Sequence, residues 1–189
     1  MRMTIPTQLT LMRIALIPVV GILIYIDGWW TYLASAALFG LATITDWLDG
    51  YLARKWGEET DFGAFLDPVA DKLLVVIVLV LLVQKYPSFW ITTAGTIIIG
   101  REIIVTALRE WMAELGKRAS IKVSMLGKVK TTVQMTALIV LMLFDPSRFY
   151  VFHVLGIWCL YVAAVLTLWS MIEYLRLAWK AVVEPQGRI

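Results

Sequence analysis

The chain has 189 residues, 60% of them hydrophobic and 12% aromatic, with a mean hydropathy of +0.80. A soluble domain carries about 45–50% apolar residues, so the composition excludes an ordinary water-soluble globule and makes lipid the solvent. A net charge of +3 with one cysteine and one histidine excludes a disulfide framework and turns attention from histidine-based metal sites to oxygen-based ones.

Six apolar runs follow one another, at 9–26, 31–53, 64–83, 89–108, 129–144 and 150–175. Each is long enough, or nearly so, to cross a hydrocarbon core of about 30 Å at about 1.5 Å per helical residue. They predict an all-α, six-transmembrane-helix integral membrane bundle, in one membrane domain spanning 1–189 because no polar linker divides the chain. The first run, with Arg2 before it and Ala34-Ser35-Ala36 beyond, has the outline of a signal peptide. It is too long, is broken by Asp27-Gly28 and contains Arg13, so it is expected to remain as a helix. The aromatic residues Trp29 and Trp30, Tyr86 with Phe89 and Trp90, and Phe149 with Tyr150 mark one membrane interface. Of the 17 lysines and arginines, all but Lys85 and Arg148 gather at the opposite ends, which predicts cytoplasmic N and C termini. Cys159 sits alone in an apolar run and is not expected to do redox chemistry; His153, near a helix end, reads as an ordinary interfacial residue.

The second and third runs break the apolar pattern with four aspartates, in the order Asp46-x-x-Asp49-Gly50-x-x-Ala53-Arg54, then eight residues, then Gly63-x-x-x-Asp67-x-x-x-Asp71. An ionisable group inside a membrane helix costs roughly 2.5–3.5 kcal/mol on insertion scales and is functional by default. Residues at i, i+3, i+4, i+7 and i+8 share a helical face, so Asp46, Asp49, Gly50 and Arg54 form one stripe. Asp46 lies about 12 Å deeper along the helix than Arg54. Asp67 and Asp71 share a face of the returning helix. Two facing helices with two carboxylates each are the way helical bundles hold two metals, and all-oxygen ligands suit hard divalent cations. Gly50 and Gly63 let a bulky ligand approach the backbone, and Arg54 offers a fork suited to a phosphate or diphosphate. The rival readings are a buried charge network that only sets helix register, which four acids against Arg54 and Lys72 leave unbalanced, and a divalent-cation transporter. Transport folds tend to show inverted repeats and broken mid-membrane helices, neither of which is evident.

Arg101, Arg109, Lys117, Arg118, Lys122, Lys128 and Lys130 crowd one stretch between the fourth and fifth runs. For Arg118 and Lys122 the reading is a basic loop against anionic lipid. So many cations suit a phosphorylated acceptor better than a neutral or zwitterionic one. Nucleic acid is not an expected partner, since the stretch abuts the bilayer and holds no recognition module.

The string from Asp46 to Asp71, 26 residues at fixed spacing, resembles without a substitution the signature of the CDP-alcohol phosphotransferases. The resemblance covers nearly the whole chain and is nearest to the family's bacterial phosphatidylglycerophosphate synthase branch. It extends to the opening Ile5-Pro6-Thr7-Gln8-Leu9-Thr10-Leu11-Met12-Arg13, to Arg101-Glu102-Ile103-Ile104, to the segment from Arg109 to Lys117, and to Gly127-Lys128-Val129-Lys130-Thr131-Thr132. It implies the family's fold and its reaction: an acceptor hydroxyl attacks the lipid-linked phosphate of a CDP-alcohol and CMP leaves. For the branch, the donor is CDP-diacylglycerol, the acceptor sn-glycerol 3-phosphate and the product phosphatidylglycerol phosphate; other members use serine or inositol phosphate. It further implies that Asp46, Asp49, Asp67 and Asp71 hold two Mg²⁺ or Mn²⁺ ions and that Asp71 takes the acceptor proton. Gly50, Arg54 and Thr60, with Thr7, Thr10 and Arg13 of the opening stretch, would contact CDP-diacylglycerol. Arg101, Arg109 and Lys128 would hold the acceptor phosphate. The implied setting is the bacterial inner membrane with its active site at the cytoplasmic face, among membrane lipids, and a homodimer is compatible with the family's habits.

Overall fold

A computed structural model describes residues 5–56, 61–115 and 125–183. They form six helices: α1 (Ile5–Tyr25), α2 (Trp29–Trp56), α3 (Asp61–Lys85), α4 (Phe89–Glu114), α5 (Met125–Leu143) and α6 (Tyr150–Val183). No strand occurs among the described residues, as the all-α expectation requires. Several helices overrun their apolar runs: α4 continues to Glu114 and α6 to Val183. Arg109, Glu110, Glu114 and Arg176 are good helix formers, so hydropathy marks where lipid ends and not where the helix does.

By length and apolar composition, three helices among the described residues can cross a membrane, over Gln8–Tyr25, Phe89–Glu114 and Tyr150–Trp179. The apolar part of α5, Val129–Leu143, is shorter, and α3 carries Asp67, Asp71, Lys72 and Lys85. Large apolar side chains face outward on every helix, among them Ile22, Ile44, Val80, Ile103, Val129 and Val165. A soluble monomer rarely exposes so much apolar surface; in a bilayer it is the lipid-facing coat.

Packing groups the chain into two compact units, Met1–Ser88 with Leu138–Gly156, and Phe89–Ala137 with Ile157–Ile189. In the first unit α1 packs against both α2 and α3. Its buried stripe is Thr10, Arg13, Ile17, Val20 and Ile24, at the alternating three- and four-residue spacing of a seam. The facing stripe of α3 holds Ala70, Leu74, Val78 and Leu82, all buried. The two helices run parallel, because α2 makes the return. Polar couples close the seam at both ends: Thr10 with Asp67 and Arg13 with Asp71 at one, Tyr25 with Gln84 and Ile24 with Lys85 at the other. Lys85 Nζ donates to the Ile24 carbonyl at 2.5 Å and to Asp27 Oδ1 at 2.9 Å, filling a carbonyl that the end of α1 would otherwise leave orphaned.

The turn between α5 and α6 is built on Asp145. Its Oδ1 accepts the Ser147 backbone N–H at 2.9 Å and the Ser147 hydroxyl, an arrangement typical of turn aspartates. Its Oδ2 accepts from Tyr32 at 3.2 Å and Tyr86 at 3.3 Å. His153 is buried, donates from Nδ1 to the Phe144 carbonyl at 2.9 Å and stands edge-on to Tyr86. Gly156 is needed where α6 meets α5: a Cβ there would lie 3.0 Å from Leu141 and Val140.

Burial pushes the Asp145 carboxyl up, but the donors from Ser147, Tyr32 and Tyr86 outweigh it, and its pKa falls below the ordinary 3.8. A carboxyl depressed on folding stabilises the fold above its unfolded pKa, and that contribution disappears as the pH falls through the folded value. Asp145→Asn should therefore melt earlier than the parent protein at neutral pH in detergent. The gap should close as the pH drops below 3.8; a gap independent of pH would assign the loss to turn geometry and not to charge.

Candidate active site

Asp67 and Asp71 sit one turn apart on α3 and face α1. Thr10 Oγ1 donates to Asp67 Oδ1 at 2.5 Å, and Arg13 Nη1 donates to Asp71 Oδ1 at 2.6 Å. Arg13 is 1% exposed and Thr10 is fully buried, whereas the Asp71 side chain is 42% exposed. A guanidinium with so little access to water is tolerable only when paired, and the charge-assisted bond to Asp71 supplies the pair. The hydroxyl and the guanidinium thus lie behind the carboxylates, which remain the accessible groups.

Asp46, Asp49, Gly50 and Arg54 all belong to α2, so the helical spacing expected of them is present. Their side chains lie outside those described, as do those of Thr7 and Lys128, and Thr60 lies outside the described residues altogether. Among the described residues no group of three or more His, Cys, Asp or Glu gathers as a metal site, since only half of the expected carboxylates fall among them. The donor chemistry of the half that is described fits a hard divalent cation: two carboxylates on one helix face, each already oriented by a hydrogen bond.

In the second unit the buried stripe of α4 runs Ile91, Ala94, Ile98, Arg101, Val105 and Met112. Arg101 is only 5% exposed. Its Nη2 donates to Thr167 Oγ1 at 3.1 Å and its Nη1 meets Glu102 Oε2 at 3.1 Å, while its Nε makes no hydrogen bond among the described residues. Two turns on, Arg109 Nη2 donates to the Tyr174 hydroxyl at 2.8 Å, with its guanidinium 5.0 Å from the ring centre. Lys130 lies within electrostatic reach of Arg101, Glu102 and Arg109. Two of the three expected acceptor residues, Arg101 and Arg109, therefore share one helix and one charged neighbourhood.

Sequence reasoning missed three members of this neighbourhood. Thr167 and Tyr174, with buried Ser170 between them, form a polar i, i+3, i+7 line inside an apolar helix, a signal that was available. Lys130 belongs to the basic stretch but is not among the expected acceptor residues; the side chain of Lys128, which is, lies outside those described.

A family model described as CDP-alcohol phosphatidyltransferase matches residues 3–169. A protein of Pectobacterium atrosepticum named CDP-diacylglycerol–glycerol-3-phosphate 3-phosphatidyltransferase is 52% identical over 185 residues, covering 98% of this chain and 100% of that protein. Proteins of the same name from Salmonella choleraesuis and Shigella flexneri are 54% and 53% identical over 178 residues, covering 94% of this chain and 96% of each relative. The similarity spans both compact units.

Proposed function

This chain belongs to the CDP-alcohol phosphatidyltransferase family, and we propose that it transfers the phosphatidyl group of CDP-diacylglycerol to sn-glycerol 3-phosphate, giving phosphatidylglycerol phosphate and CMP. The observation that carries the reading is identity above half, over nearly the full length, to relatives named for that reaction. Two features of the geometry support it: oriented carboxylates on α3, and buried Arg101 beside Arg109 and Lys130. The first suits an anionic diphosphate handled through divalent cations, the second an anionic acceptor. The protein is a helical membrane protein. A cytoplasmic active site is proposed from the asymmetric placing of its lysines and arginines, and the bacterial inner membrane from its similarity to bacterial proteins.

Asp46, Asp49, Asp67 and Asp71 are the residues that would hold two Mg²⁺ or Mn²⁺ ions, whose chemistry when bound is to neutralise diphosphate charge and polarise oxygens. Gly50, Arg54, Thr60 and Thr7 are assigned to the CDP end of the donor. Asp71, the accessible carboxylate, accepts the proton of the attacking acceptor hydroxyl. The new phosphate–oxygen bond forms on the lipid-linked phosphorus as the bond to CMP breaks. Arg101 and Arg109 hold the acceptor phosphate, with Lys128 or, on the packing, Lys130 as the third cation.

The acceptor is tested by CMP release from CDP-diacylglycerol with sn-glycerol 3-phosphate, free glycerol, serine and inositol phosphate supplied in turn. Only the first should support turnover; release with another acceptor would move the chain to a different branch, and ion flux into vesicles without CMP would make it a transporter.

Asp67→Asn removes a negative ligand from a site that needs several hard oxygens. Activity should fall to background in a protein that still inserts and purifies, and EDTA should reproduce the loss in the parent. CMP release by the mutant at ordinary Mg²⁺ would remove the metal assignment.

Asp71→Asn should cost on the order of 10²–10⁴ in kcat, the usual range of a general base, and change the KM for CDP-diacylglycerol far less. The reverse pattern would leave Asp71 as a ligand only.

Hydrogen bonds to charged groups contribute about 1.5–3 kcal/mol, or about tenfold to more than a hundredfold in affinity. Arg101→Met or Arg109→Met should raise the KM for sn-glycerol 3-phosphate on that scale and leave the donor KM alone. A dependence on anionic lipid content with unchanged acceptor KM would instead make these residues a lipid-facing surface.

A further inference from the structure

Thr10 and Arg13 were expected among the contacts to CDP-diacylglycerol. Thr10 is fully buried and Arg13 is 1% exposed. Among the described residues, Thr10 donates to Asp67 Oδ1 at 2.5 Å and Arg13 to Asp71 Oδ1 at 2.6 Å, and Asp71 is 42% exposed in front of Arg13.

We propose that Thr10 and Arg13 are positioning residues that orient Asp67 and Asp71 for divalent-cation binding, and not ligands of the donor. The inference rests on the metal reading above. An unrestrained aspartate samples several rotamers, and a cation that needs several oxygens at fixed distances must first select one. A hydrogen bond to one carboxylate oxygen makes that selection in advance. Arg13 adds a positive charge beside carboxylates that would repel one another before any cation arrives. The bracing comes from α1, whose apolar stripe of Ile17, Val20 and Ile24 holds both side chains at the right level, so the carboxylates are set by helix packing as well as by their own helix.

The test is Mn²⁺ binding, followed by electron paramagnetic resonance on purified protein without CDP-diacylglycerol, for Thr10→Val, Thr10→Ser, Arg13→Lys and Asp67→Asn. Partners that orient a metal ligand usually change metal affinity by about 10–100-fold. Thr10→Val, which keeps shape and loses the hydroxyl, and Arg13→Lys, which keeps charge and loses the fork, should weaken Mn²⁺ on that scale. Thr10→Ser should restore it, and the KM for CDP-diacylglycerol at saturating Mn²⁺ should not move. Unaltered Mn²⁺ affinity with a raised donor KM would return both residues to the donor site. Unaltered Mn²⁺ affinity with only a lowered melting temperature would reduce them to packing; either result overturns the inference. Should Thr10→Val fail to fold, the comparison of Arg13→Lys with the parent decides alone. Equal Mn²⁺ binding by the parent and Asp67→Asn would sink the metal reading itself. Loss in Asp67→Asn with retention in the Thr10 and Arg13 variants would sink only this inference.

Discussion

The parallel seam between α1 and α3 is the constraint on which the candidate active site depends. Its partners keep a nearly constant offset along the chain, 57 and 58 residues at the carboxylate end and 59 and 61 at the other. Between the two polar ends lie only apolar contacts, which fix depth but tolerate sliding. The polar couples do not tolerate it: a one-residue slip turns a helix by about 100° and would carry Arg13 away from Asp71. Close van der Waals packing of the apolar stripes holds the helices together, and hydrogen bonds choose the register. In a membrane this division is sharper than in water, because lipid gives apolar side chains little reason to prefer one another over hydrocarbon.

The second unit solves the opposite electrostatic problem with the same device. There α4 and α6 pair through Arg101 with Thr167 and Arg109 with Tyr174, at offsets of 66 and 65 residues. The partners of the cations are neutral hydroxyls, with Glu102 at 3.1 Å from Arg101 as the nearby acid. Hydroxyls orient a guanidinium without cancelling its charge, so the cluster of Arg101, Arg109 and Lys130 keeps a surplus of positive charge. In the first unit a buried arginine is paired with an acid; in the second, arginines of α4 are held by hydroxyls of α6.

Much of this was legible in the sequence, for reasons that also explain what was not. The six helices follow from the apolar runs, although only three of them among the described residues are long and apolar enough to cross a membrane, and the ends differ where Arg109, Glu110 and Arg176 carry a helix past its apolar run. The aspartates were legible because a charge inside an apolar helix has few explanations, and because spacings of three and four put charges on one face. Thr10 and Arg13 stand out in the sequence only through the family resemblance, and their pairing with partners on α3 does not stand out at all. Nothing local pairs position 10 with 67: that depends on α2 returning the chain so that α3 lies parallel to α1. The place of Lys130 near Arg101 and Arg109 was not legible for a related reason: it depends on how α5 rotates against its neighbours, and composition carries no information about rotation.

The couple of Arg13 and Asp71 also limits what any substitution at this site can mean. One partner is almost wholly buried and the other 42% exposed, so they are not equivalent. Removing the arginine leaves a carboxylate that water and cations can still reach. Removing the aspartate's charge takes a partner from a guanidinium in a seam that water reaches hardly at all, which is the costlier side from which to break such a pair. A neutral residue at position 71 thus alters the chemistry and loosens α1 at once, whereas one at position 13 mainly releases the carboxylate. Thr10 and Asp67 lack this asymmetry of charge, since a hydroxyl can be buried at smaller cost than a guanidinium. For that reason the Thr10 couple separates orientation from stability more cleanly than the ion pair beside it, and the conservative exchange of a hydroxyl for a methyl group reads the positioning role with the least disturbance to the seam.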